Sequence, residues 1–267
     1  MKNTAQPFSL MGVLNVTPDS FYDGGKYCSA ASALQHAEQL VHDGAAIIDI
    51  GGASSRPGAV QLSVEEECRR VLPVVEQIAS AGHVPLSVDT TSSVVARRVL
   101  EAGAAWINDI SAGRQDPDMV KVVAEYQCTI VLMHSRGTPA TMMQCTDYTS
   151  LLDDVVAELS DGVALFLKGG VAENRIVLDP GIGFAKTWQQ NCELLASIEK
   201  IVALGFPVLL GTSRKSFIGE ITGRKVQERL PGSLGSIAHA YLKGVTHFRV
   251  HDVGATADFL KVMTAIG

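Results

Sequence analysis

Short apolar, β-branched runs alternate with longer stretches of helical period from one end of the chain to the other, eight units in all. The strand candidates are Phe8 to Leu14, Ala46 to Ile50, Pro85 to Val88, Trp106 to Ile110, Thr129 to Met133, Ile176 to Asp179, Pro207 to Leu210 and Thr246 to Val250. Each is short and almost wholly apolar, the composition of a strand covered on both faces. Between them, Ser63 with Glu66 reads as a capping box, followed by one apolar face of Val64, Cys68, Val71, Leu72, Val75 and Ile78. Asp116 before Pro117 reads as an N-cap with proline at the first helical position. Gly44, Gly82, Gly103, Gly205 and Gly244 stand where helices should stop, and Pro231 starts or kinks the seventh helix.

Eight βα units with no composition shift between them fit a doubly wound sheet or a closed barrel, and the count favours a single (β/α)8 TIM barrel spanning residues 1–267. The long irregular stretches are 15–28, 51–62 and 135–148, candidate lids by their glycine, proline and serine content.

Composition narrows the partners. At 267 residues and 46% hydrophobic content the chain buries a full core without staples. A net charge of -6 argues against nucleic acid or an acidic membrane as partner. An anionic substrate then needs a local cluster of basic groups. The five cysteines are odd in number and scattered, with no CxxC pair, which points to a reducing, cytoplasmic setting. The N-terminus lacks the apolar run of a signal peptide, and no run approaches a membrane span.

Reactive groups of a barrel lie at the C-terminal ends of its strands. Here those ends carry Asn15; Asp49, then Ser55 and Arg56; Asp89; Asn108 and Asp109; His134; Asp179; Ser213, Arg214, Lys215 and Ser216; and Arg249 with His251. One such aspartate is more often a cap or loop anchor, but eight polar strand ends predict a shared pocket over an apolar floor. Asp89, Asn108 and Asp179 suit the donor and acceptor edge of a flat nitrogen heterocycle. Arg56, Lys215, Arg249 and His251 suit phosphate or carboxylate. The implied ligand is a polar heterocycle with an anionic tail.

Other motifs carry less. Residues 181–187 share fragments with the dinucleotide fingerprint and the phosphate loop, but the third glycine of one and the GK[ST] order of the other are missing. GTSRKS, 211–216, still offers backbone N–H groups at a helix N-terminus to an anion. His36, His42, His83, His239 and His247 have no partner at metal spacing and read as surface or packing residues.

The blocks NVTPDSF (15–21), DIGG and SRPG (49–52 and 55–58), SVDT (87–90), INDI (107–110), LMH (132–134), DPGIGFAKT (179–187), TSRKSFIG (212–219) and RVHDV (249–253) together resemble the dihydropteroate synthase family, in family order and over nearly the whole chain. The resemblance implies condensation of 6-hydroxymethyl-7,8-dihydropterin pyrophosphate with p-aminobenzoate in a homodimeric barrel. It implies Asn15 as a ligand of Mg2+ shared with the pyrophosphate. Asp89, Asn108, Asp179, Lys215 and Arg249 match the family's pterin pocket. Ser55, Arg56, Phe184 and Ser216 match its p-aminobenzoate and lid region. Arg56, Arg249 and His251 match its pyrophosphate site, and Arg249, His251 and Lys215 are the candidates for catalysis. Ala53 and Tyr22 depart from the family's commoner glutamate and serine, both in lid segments. Two rival readings are a methyltetrahydrofolate-dependent methyltransferase and a non-catalytic pterin-binding module.

Overall fold

Each strand run is too short to span a domain and too apolar to face water, so the runs are stable only side by side beneath a layer of helices. In the computed structural model, which describes residues 8–16, 30–54, 58–59, 62–82 and 84–267, they do this in one sheet. The strands are β1 (Ser9–Asn15), β2 (Ile47–Gly51), β3 (Leu86–Asp89), β4 (Trp106–Asp109), β5 (Thr129–Met133), β6 (Ile176–Asp179), β7 (Leu209–Leu210) and β8 (His247–Val250). All ladders are parallel, in the order β6-β5-β4-β3-β2-β1-β8-β7. A parallel bridge between Leu178 and Val208 joins β6 to β7 and closes the ring. The TIM barrel expected from the count of eight is the fold observed.

The helices of the outer layer are α1 (Ala30–His42), α2 (Val64–Ala81), α3 (Ser93–Glu101), α4 (Met119–Tyr126), α5 (Leu151–Lys168), α6 (Trp188–Ala196), α7 (Glu199–Val202), α8 (Ser216–Thr222), α9 (Leu230–Leu242) and α10 (Val253–Ile266). The five glycines read as stops all have positive φ, from +67° to +107°, the region where a Cβ would be strained. Pro231 sits in the first turn of α9. One cap assignment needs correction. Ser63 caps α2 through the Glu66 amide, but the Glu66 carboxylate turns to Arg69 and Arg70 instead of back to Ser63, because two guanidiniums outcompete one amide. Asp116 caps the turn that opens into α4, its Oδ1 accepting from Asp118 N at 3.1 Å and its carbonyl from Met119 N at 3.0 Å. Its other carboxylate oxygen accepts from Ser93 N at 2.7 Å, at the start of α3.

Strand parity builds the site. Side chains of one strand alternate between the barrel interior and the helix layer. Met11, Ile47, Val131, Val177 and Leu209, with Trp106 against them, form an interior apolar plug. Two residues further along the same strands stand Asp49, Asn108, Met133, Asp179 and Gly211. The alternate residues, among them Leu10, Ile48, Ile107, Ile130, Leu178 and Phe248, pack outward under the helices. A polar layer thus rests on an apolar floor at the C-terminal end of the barrel.

Candidate functional site

A cleft of about 430 Å³ opens at that end. Asp89, Asn108, Asp179, Ser213, Lys215, Arg249 and His251 supply its polar groups, while Ile110, Met133, Phe184 and Gly211 supply apolar surface. A flat, polar heterocycle requires this mixture, a few convergent hydrogen-bonding groups among apolar walls.

Arg249 organises one side. Its Nε donates to Asp49 Oδ2 at 2.6 Å, and its Nη2 lies 3.5 Å from Asp89 Oδ2. Asn108 Nδ2 donates to the same Asp49 oxygen at 3.2 Å. Asp49 is fully buried beneath the cleft, and its Oδ1 has no partner among the described residues. The carboxylates beside it hold Arg249 protonated against its burial. Asp89 is pushed up to about 7, first by burial; Arg249 opposes that rise, and Asp49, Glu67 and Asp109 add to it.

Lys215 organises the other side. Its Nζ donates to Ile182 O and lies 4.7 Å from the centre of the Phe184 ring. Burial lowers its amine to about 8, against the pull of Asp179. Asp179 is itself raised by burial, with Lys215 and the Gly181 amide opposing; that amide donates to Asp179 Oδ1 at 2.7 Å. At the mouth, His251 Nδ1 sits 3.0 Å from Ser213 Oγ.

Not every polar strand end joins the cleft. Asp49 lies below it and acts on Arg249 and Asn108. Asp109 turns back to the amides of Ser111 and Gly113, both at 2.7 Å, and closes its own turn. His134 is fully buried behind β5, with Lys186 and Glu158. Arg214 pairs with Asp252 away from the cleft. Eight convergent ends is therefore corrected to a smaller set: each of these side chains is consumed by a nearer partner. Ser216 is exposed at the first position of α8 and does not line the cleft. Asn15 ends β1 beside Gly51. Ser55, Arg56 and Tyr22 lie outside the described residues. The role of Asp49 as the anchor of Arg249 was missed, as were Ile110, Met133 and Gly211 as lining; for Asp49, Met133 and Gly211, strand parity was the signal that could have found them.

A second hollow of about 840 Å³ adjoins the cleft, shares Asp89 and Ile110, and is walled by Ser54, Glu67, Thr90, Thr138 and Pro139 among others. Two of the candidate lids meet there, Gly58 N donating to Pro139 O at 2.9 Å.

Comparison with known proteins agrees with this geometry. The family model described as "Pterin binding enzyme" matches residues 11–251. The dihydropteroate synthase of Bacillus subtilis (strain 168) is 46% identical over 257 residues, 96% of this chain and 88% of the relative. The chain belongs to the dihydropteroate synthase family. A solved dihydropteroate synthase of Xanthomonas albilineans with 4-aminobenzoic acid superposes with a TM-score of 0.91 at 41% identity, covering 97% of this chain and 92% of that one. The same organism's enzyme in complex with 7,8-dihydropteroate gives 0.87 at 38% identity, over 97% and 93%. Membership makes the chain a transferase of folate biosynthesis that joins 6-hydroxymethyl-7,8-dihydropterin pyrophosphate to p-aminobenzoate, releasing pyrophosphate. Among the described residues, no helix is long and apolar enough to cross a membrane.

Proposed function

We propose that the pterin ring lies in the cleft against Asp89, Asn108 and Asp179, with Lys215 and Arg249 beside it. Aspartates accept from ring N–H and exocyclic amine, and asparagine serves both edges. The observation that carries this reading is the Arg249 contact pair: one guanidinium tied to Asp49 and reaching Asp89 in the same layer as Asn108 and Asp179. p-Aminobenzoate, the molecule held by the Xanthomonas relative, goes beside Phe184 near Ser216, with Ser55 and Arg56 as its further partners from the family resemblance. The pyrophosphate goes to Arg56, Arg249 and His251.

Chemistry follows from charge. Departure of pyrophosphate leaves positive charge spread over the methylene carbon and the ring, and the arylamine attacks that carbon. What the chain stabilises is charge separation, through Arg249 and His251 at the leaving group and Lys215 at the pterin, fixed before the reaction begins. No strong general base is needed, because the weakly basic arylamine loses its proton readily once bonded.

Mg2+ is tested by its donors. A Cβ on Gly51 would sit 3.2 Å from Asn15 Oδ1, so the glycine leaves that oxygen free to turn toward a ligand. Among the described residues no three His, Cys, Asp or Glu side chains gather to cage a metal. Mg2+ commonly takes few protein oxygens and completes its shell with water and substrate phosphate. The set fits a metal that arrives with the pyrophosphate, held by Asn15. When bound, it would offset charge on the leaving group.

The reading extends to a cytoplasmic homodimer, supported by the free thiols of Cys68, Cys128, Cys145 and Cys192 and by exposed Leu242, Val262 and Ile266 on α9 and α10. The deciding assay is pyrophosphate release from the pterin pyrophosphate with Mg2+, with and without p-aminobenzoate. Release that depends on the arylamine and yields dihydropteroate is expected. Tight pterin binding with no release would instead favour the non-catalytic module.

A further inference from the structure

The loop between β6 and α6, residues 180–187, is wound around an amine that the reaction above does not use. Lys186 is 2% exposed. Its Nζ donates to Gly181 O at 3.1 Å and Phe184 O at 3.0 Å, and lies 2.9 Å from His134 Nδ1. An ammonium has three N–H donors, and here each has one acceptor. Two further carbonyls of the loop are taken as well: Ile182 O by Lys215 Nζ, and Ala185 O by Tyr148 OH at 2.9 Å. Gly181, Gly183 and Ala185 all have positive φ, so no regular ladder holds this segment. Besides one turn from Phe184 N to Gly181 O, side chains hold it: Lys186 from within the loop, Lys215 and Tyr148 from outside.

Burial lowers His134 to about 4, which leaves the ring neutral with its Nδ1 lone pair toward Lys186. His134 Nε2 faces Glu158 Oε2 at 3.1 Å, off the line of a hydrogen bond. Glu158 accepts from Arg136 Nε at 2.8 Å. Burial lowers the Lys186 amine to about 7; Asp179 and Glu158 favour its charge, while Lys215 and Arg136 oppose it.

We propose that Lys186, with Tyr148, is a positioning residue for the arylamine: together they set the β6–α6 loop so that the Phe184 ring and the Lys215 stem form one wall of its site. The inference rests on the reading that Phe184 borders p-aminobenzoate. Lys186 acts from behind the loop and touches no substrate. Asp89, Asn108 and Arg249 stand on other strands, so that part of the pterin end is held independently, whereas Asp179 and Lys215 are tied to the loop through Gly181 N and Ile182 O.

The test is steady-state kinetics on Lys186→Met, which keeps the apolar stem and removes the donors, and on Tyr148→Phe, which removes only one hydroxyl. Phe184→Ala runs beside them, and melting temperature is recorded for all three. Leaving Phe184 O without its donor, and Gly181 O with the Phe184 amide alone, should raise the KM for p-aminobenzoate about tenfold in Lys186→Met, and the single lost bond should raise it roughly threefold in Tyr148→Phe. The KM for the pterin pyrophosphate should rise less than that for p-aminobenzoate, because three of its five proposed partners stand clear of the loop. A merely structural loss would shrink the active fraction, lowering kcat with the KM unchanged. Folded Lys186→Met with an unchanged arylamine KM overturns the inference. If Lys186→Met does not fold, Tyr148→Phe decides by the same criterion. A raised KM in Phe184→Ala with none in the other two defeats the role of Lys186 and Tyr148 alone, whereas no change in Phe184→Ala defeats the placement of the arylamine and this inference with it.

Discussion

Arg249 is bound to two aspartates that differ in what they can afterwards do. Asp49 is sealed under the cleft with the guanidinium 2.6 Å away. Removing Arg249 leaves that carboxylate buried with the Asn108 amide and no ion partner, so Arg249→Ala should lose about 3–5 kcal/mol of stability, read by chemical denaturation. Adding Asp49→Asn should restore part of it. Asp89 is open to the cleft, and its carboxyl is raised from 3.8 to about 7, first by burial. A raised carboxylate means that the folded state binds a proton which the unfolded state has released, so this group's contribution to stability falls as pH rises between about 4 and 7. Ligand binding should run the other way. The ionised form accepts from pterin N–H groups, so pterin affinity measured by calorimetry should strengthen as pH rises through about 7, and Asp89→Asn should flatten that limb. Asp179→Asn should weaken the same affinity, since half of the new group is a donor facing donors; unchanged affinity would contradict the pocket. None of these partnerships could be read from the chain. Asp49 and Arg249 are 200 residues apart, and only barrel closure makes them neighbours.

At the scale of elements, strands and helices were legible because their signals are local. The period of apolar residues, the glycine stops and Pro231 report conformations fixed by sterics over a few residues. Asp116 caps the turn before α4 as its sequence suggests, but its second partner, Ser93 N at the start of α3, could not be read, because a cap pattern says nothing about neighbours. The β6–α6 loop shows the same limit. Its sequence looked like a fragment of a phosphate loop, whereas its shape is set by Lys186, Lys215 and Tyr148 from three different places in the chain. Gly181 sits at φ +68°, and a Cβ there would run into the His134 carbonyl. Gly181→Ala should cost at least about 1 kcal/mol for the left-handed backbone, with the overlap added to it. A lowered melting temperature together with weakened pterin binding would register both, because Gly181 N also holds Asp179.

For the whole molecule, the count of eight units was enough to favour a barrel, and the parallel ring with its β6–β7 bridge is the result. The surface predicts assembly. Leu242 is 69% exposed on α9, and Val262 and Ile266 are 58% and 79% exposed on α10, an apolar cost that a second copy would remove. Sedimentation should give a dimer, and Leu242→Lys with Val262→Lys should shift it toward monomer while leaving the cleft intact. The sequence by itself determined the alternation of strands and helices, hence the barrel and the end of it at which chemistry collects, since periodicity and strand direction are local properties. It also supplied the residue types that imply a polar heterocycle and an anion. Only the tertiary structure decided which polar strand ends face substrate and which serve one another. Strand register and closure set those distances, and a buried charge takes the nearest partner that the fold brings to it.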